Sequence, residues 1–198
     1  MVVRCRPIRA IEPLEPRTLL AVAPASSPAL DAEPSVQVVI DYTLDDNGFF
    51  DTPQKRDLLQ QAADSVVKWF KDELLAIDPG GGDTWEMVFD DPATGQRHTK
   101  RDVTIPAGTV LLYAGGRDMT DALGRGGPGG YNASGSSGWL DRVARRGQGG
   151  GGPNSAEFGP WGGAITFDTN PSSPWHFGQT TTIRSDRGAH RTHNDLFL

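Results

Sequence analysis

Apolar residues fall in short separated blocks along the chain, and each block has the period of a definite element. Val36-Gln37-Val38-Val39-Ile40-Asp41-Tyr42 is β-branched and aromatic with few polar breaks, which predicts a strand buried on both faces. Asp45-Asp46-Asn47-Gly48 has turn composition, Thr52 is a helix N-cap by type, and Pro53 suits the first helical position. From Pro53 to about Ile77, Leu58, Ala62, Val66, Phe70 and Leu74 recur every fourth residue, with Leu59, Ala63 and Val67 beside them. This stripe predicts one long helix, ended by Pro79 and the glycines after it. It is the largest predicted apolar surface, and each member that is fully buried, other than Ala, stabilises by roughly 1.5–3 kcal/mol.

Further along, Trp85–Asp90 predicts a strand, with a turn over Asp91–Gly95 and a return over Val103–Ile105. Val110–Gly116 is a second compact apolar strand, and Ala164–Asp168 is the last. Between them, residues 124–160 read as a glycine-rich loop interrupted by one short helix over Trp139–Arg146. The order predicts an α/β or α+β domain: a mixed, twisted sheet with one long helix packed across it. A sheet covered on one face alone would leave apolar surface in water, so marginal stability or aggregation is expected.

Composition narrows this picture. Of 25 glycines, 17 lie between Gly115 and Gly163, so the glycine excess is local and does not make the whole chain disordered. Over residues 36–123 there are 16 Asp and Glu against 8 Lys and Arg, a balance that repels a phosphate backbone and argues against nucleic acid as a partner. The single cysteine, Cys5, excludes an intramolecular disulfide and any Cys-His pair within the predicted domain. No apolar run approaches the roughly 20 residues of a transmembrane helix. Residues 1–35 read as a leader followed by a Pro, Ala and Ser-rich linker, predicted to be disordered. Residues 36–178 read as the domain, and 179–198 as a divergent, disordered tail.

Two segments carry resemblances. Leu14-Glu15-Pro16-Arg17-Thr18-Leu19-Leu20 resembles the LEPR-x-LL motif near the N-termini of large secreted or surface bacterial proteins, matching at Leu14, Glu15, Pro16, Arg17, Leu19 and Leu20. It implies export to the outside of the cell or its surface. Gly162-Gly163-Ala164-Ile165-Thr166-Phe167-Asp168, with Trp175 downstream, resembles the last strand before the zinc helix of matrixin-like metzincin metallopeptidases. The predicted order over residues 36–178 is similar to the N-terminal subdomain of that family.

The resemblance implies peptide-bond hydrolysis by a water on a histidine-bound zinc. It implies that Gly163, Ala164, Ile165, Thr166 and Phe167 form the edge strand of a substrate cleft, pairing main chain to main chain with an extended peptide or protein. It makes Asp168 a candidate calcium ligand. Thr166 stands where the family's last strand carries a structural-zinc histidine, so that zinc is not implied here. The sequence contains no His-Glu-x-x-His, so no catalytic residue and no zinc cofactor are assigned to this chain. The expected protein is therefore a cut or frame-shifted front portion of an exported peptidase, without activity of its own. The other reading is a secreted binding or structural module that uses an exposed strand edge and the glycine-rich loop. Lesser metal candidates are His176, His190 and His193; Asp41, Asp45, Asp46, Asn47 and Asp51 read as a turn leading into the helix rather than a calcium loop.

Overall fold

Residues 36–149, 159–172, 175–177 and 194–195 are described by the computed structural model. Residues 1–35, with the segment expected to carry an export motif, His190 and His193, and most of residues 178–198 lie outside the described residues, as does the side chain of His176. The β-branched run forms β1 (Gln37–Asp41), and Thr52 caps α1 (Pro53–Val67), its hydroxyl accepting from the Lys55 N–H. There follow β2 (Thr84–Asp90), β3 (Arg97–Arg101), β4 (Thr109–Arg117), β5 (Gly124–Pro128), β6 (Gly130–Ser134), α2 (Ser137–Arg145) and β7 (Gly162–Asp168). A two-residue β8 (Trp175–His176) pairs in parallel with β9 (Asn194–Asp195).

The strands make two larger sheets, ordered β1-β4-β7-β5 and β3-β2-β6. In the first, β1, β4 and β7 are parallel and β5 runs antiparallel to β7, so the sheet is mixed as predicted and the fold is α+β. One face of this sheet meets α1 and a cluster of Phe49, Phe50, Leu59, Ala114 and Phe167. Phe49 stacks on Phe167 and meets Phe50 edge to face, an arrangement that suits the ring quadrupoles. The other face meets the second sheet through Trp85, Met87, Phe89, Tyr113, Trp139 and Trp161. Both faces thus meet a packed layer, which corrects the expectation of a bare second face.

Three elements depart from the sequence reading. The helix stops at Val67, ten residues before the predicted end at Ile77. Beyond it the backbone is taken by other partners: Leu74 C=O accepts from Gly108, Leu75 N–H donates to Arg146 and Ile77 exchanges both bonds with Ile105. Tertiary pairing outcompetes local helix propensity there, and Val66 and Phe70 of the apolar stripe are left exposed. The return strand of the hairpin is β3, the polar run Arg97-His98-Thr99-Lys100-Arg101, and not Val103–Ile105. Its outer position lets it alternate half-buried and exposed with no apolar residue. The glycine-rich region is not a loop throughout, because it supplies β5, β6 and α2.

The segments are tied together by Arg146, the left-handed C-cap of α2, with φ 51°. Its side chain is fully buried, and its guanidinium donates to four backbone carbonyls: Leu75, Pro106, Thr109 and Pro160. Burial pushes the guanidinium down to about 10, so it stays cationic at neutral pH. Replacing Arg146 by Ala strands those carbonyls and should cost on the order of 3–5 kcal/mol in urea unfolding. Because the group is charged in both folded and unfolded chains below its lowered value, the same loss is expected at pH 6 and pH 8.

Candidate functional site

β7 does not form an edge. Gly163, Ala164, Ile165, Thr166 and Phe167 pair with β4 on one side and with β5 on the other, from Gly163↔Pro128 to Phe167↔Gly124. This corrects the expectation of an edge strand, since both sets of their main-chain groups are already in ladders, although Ala164 and Thr166 do line a cleft. Their side chains divide between the layers. Ile165 and Phe167 face the cluster beneath α1, and Ala164 and Thr166 face the second sheet.

Among the described residues the edge is β5, all five of whose residues are exposed. Gly129 N–H donates to Gly162 C=O, and Asp168 N–H donates to Leu123 C=O. These directly opposed pairs fix the alternation of the antiparallel ladder, so Arg125 and Gly127 are the residues bonded to β7. The N–H and C=O of Gly124 and Gly126, and the C=O of Pro128, therefore point away from the sheet. Beyond Pro128 the chain bends at Gly129 and becomes β6, the outer strand of the second sheet. Trp161 holds that bend, its Nε1–H donating to Gly130 C=O at 3.0 Å.

The glycines of this ribbon differ in what requires them. A Cβ at Gly129 would overlap the Trp161 ring, and one at Gly163 would overlap the Gly127 carbonyl, so the fold itself demands these two. A Cβ at Gly127 would meet nothing within 4 Å, and one at Gly126 would make ordinary contact with Ile165 at 3.6 Å. Neither has the positive φ that favours glycine. Packing therefore does not explain them, and glycine inside a strand otherwise marks a place where another backbone comes close.

Alongside β5 lies a cleft of about 630 Å³, floored by Ala164 and Thr166 and walled by the end of β2. Arg97, Arg117 and Arg125 line it, against Asp90 as its one acid among the described residues. Arg125 pairs with Asp121 at 2.7 Å across a largely exposed contact. Arg117 lies against Gly95, where any side chain would overlap its guanidinium. Its Nη1 is buried without a hydrogen-bond partner among the described residues.

Asp168 is buried, and its Oδ1 accepts from the Met119 and Asn170 N–H groups at 2.9 and 3.0 Å. It closes the turn after β7, while its own C=O accepts from Trp175 Nε1. Among the described residues no group of three His, Cys, Asp or Glu side chains converges on one point. Asp45 likewise organises a turn: its carboxylate accepts from the N–H groups of Phe49, Phe50 and Gly116, seating the entry to α1 on β4. Among the described residues no helix is long and apolar enough to cross a membrane.

Sequence reasoning missed β5 because glycine carries no side chain to show a period of two. The signal available was Pro128, a residue tolerated on sheet edges, at the end of a glycine run that precedes a β-type segment. No family model, curated protein or solved structure matches the chain. Substituting Gly126 or Gly127 by Ala should leave stability unchanged or raise it by up to about 1 kcal/mol, through lower entropy of the unfolded chain. The same change at Gly129 or Gly163 should cost about 2 kcal/mol or more. Urea unfolding of the four variants reads both expectations.

Proposed function

We propose that the chain is an exported, matrixin-like module that receives an extended polypeptide along β5 and does not cleave it. The observation that carries the docking is the bare edge: an exposed strand with outward main-chain groups at Gly124 and Gly126, and glycines that its own packing does not call for. A peptide added there gains ladder hydrogen bonds without displacing any side chain. The chain has no His-Glu-x-x-His to hold a zinc-bound water, so no hydrolytic step is assigned to it. Export is supported by the Leu14–Leu20 motif.

A second reading is a secreted binding module unrelated to peptidases, favoured by the three-stranded sheet β3-β2-β6, which the resemblance does not account for. Both readings share docking on β5. A fluorescein-labelled Ser/Thr heptapeptide should bind the protein saturably in an anisotropy titration, and its alternately N-methylated analogue should not. Equal binding of the two would overturn main-chain pairing. Incubation of the zinc-loaded protein with a mixed peptide library should yield no chelator-sensitive cleavage; fragments that vanish with chelator would overturn the non-hydrolytic reading.

A further inference from the structure

The cleft beside β5 is cationic in a domain that is otherwise acidic. Residues 36–123 hold 16 acidic against 8 basic side chains, yet three arginines and one aspartate border this cleft. Arg97 and Arg117 have no ion-pair partner among the described residues; Asp90 stands opposite Arg97 in the β2–β3 ladder without forming an ion pair with it or with Arg117. Arg125 is held through its exposed contact to Asp121, and such pairs contribute little and exchange readily. Arg117 Nη1 is buried against Gly95 with no hydrogen-bond partner among the described residues, which leaves the guanidinium's charge without local compensation. Ala164 on the floor and Gly127 beside it take up little room, so the space is open to an incoming side chain.

We propose that this cleft receives a carboxylate, the Asp or Glu side chain of an extended peptide seated on β5. The inference rests on the docking reading above and adds the side chain that accompanies the main chain. On a strand paired to Gly124 and Gly126, alternate side chains project to the two faces of the sheet. One set enters the side of Ala164 and Thr166, where the arginines stand. A planar guanidinium fork matches a carboxylate in bidentate geometry, and an unmodified peptide supplies that group. Binding would give the cleft-lining Arg117 a carboxylate partner, which it does not have among the described residues.

The test compares two fluorescein-labelled Ser/Thr heptapeptides, one with a central Glu and one with Gln in its place, against the wild-type chain and the variants Arg117→Gln and Arg97→Gln. Thermal unfolding confirms that each variant is folded, and the Glu/Gln comparison on the wild-type chain stands even where a variant is not. The wild-type chain should prefer the Glu peptide by about tenfold at low salt. The preference should fall toward one in Arg117→Gln and with added salt. Equal affinity for the two peptides overturns the carboxylate site while leaving docking on β5 intact. Binding of neither peptide overturns the docking reading, and titration with glutarate, followed by the Arg117 Nε–Hε resonance, then decides the cleft alone. A saturable shift retains the carboxylate site, and an unmoved resonance overturns it.

Discussion

One buried cation holds the segments of this fold in register. Arg146 sits where the end of α2, the chain beyond α1 and the entries to β4 and β7 converge, and it donates to a carbonyl from each of the last three. A guanidinium is suited to that place because its donors lie in a fixed plane and its charge is spread, so it can be desolvated against carbonyl dipoles with no carboxylate partner. The left-handed cap at Arg146 follows from the same requirement. A glycine there would relax the backbone but supply no donors. With no disulfide possible around Cys5, this hydrogen-bonded hub does the work of a cross-link.

The hub places the ribbon. By fixing Pro160 it fixes Trp161, whose ring packs against Trp85 and Phe89 and whose indole N–H anchors Gly130. The ribbon from Gly124 to Ser134 consequently edges one sheet, bends at Gly129 and edges the other. An open cleft remains where β2 ends and the two sheets part, and the arginines of β3, β4 and β5 border it. Candidate site and core are thus two consequences of one aromatic corner.

The resemblance to matrixin-like peptidases pointed at β7 for a reason visible in its side chains, since Gly162–Asp168 is a distinctive string. Distinctive side chains mark what is packed, however, and β7 is packed on every side: Phe167 beneath α1, Thr166 toward the second sheet, main chain paired left and right. An edge that accepts another backbone is written in absences, as at Gly126 and Gly127. Asp168 shows how a side chain that stands out in sequence can serve packing: its Oδ1 accepts one N–H from Asn170 in its own turn and one from Met119, 49 residues away beyond β4.

Local chemistry determined β1, β2, β4, β7, the start of α1 at Thr52 and Pro53, the short α2 and the mixed character of the sheet. Each of these depends on side-chain period or cap residues that act over a few positions. Only the tertiary structure decided where α1 ends, because Leu74, Leu75 and Ile77 are claimed by Gly108, Arg146 and Ile105, far away in sequence. It alone decided that β3, without an apolar residue, is a strand, since a partner ladder can hold a polar chain. It also decided that β5 and not β7 is the edge, because pairing on a second side is a property of neighbours, and glycine leaves no pattern by which a single strand could announce them.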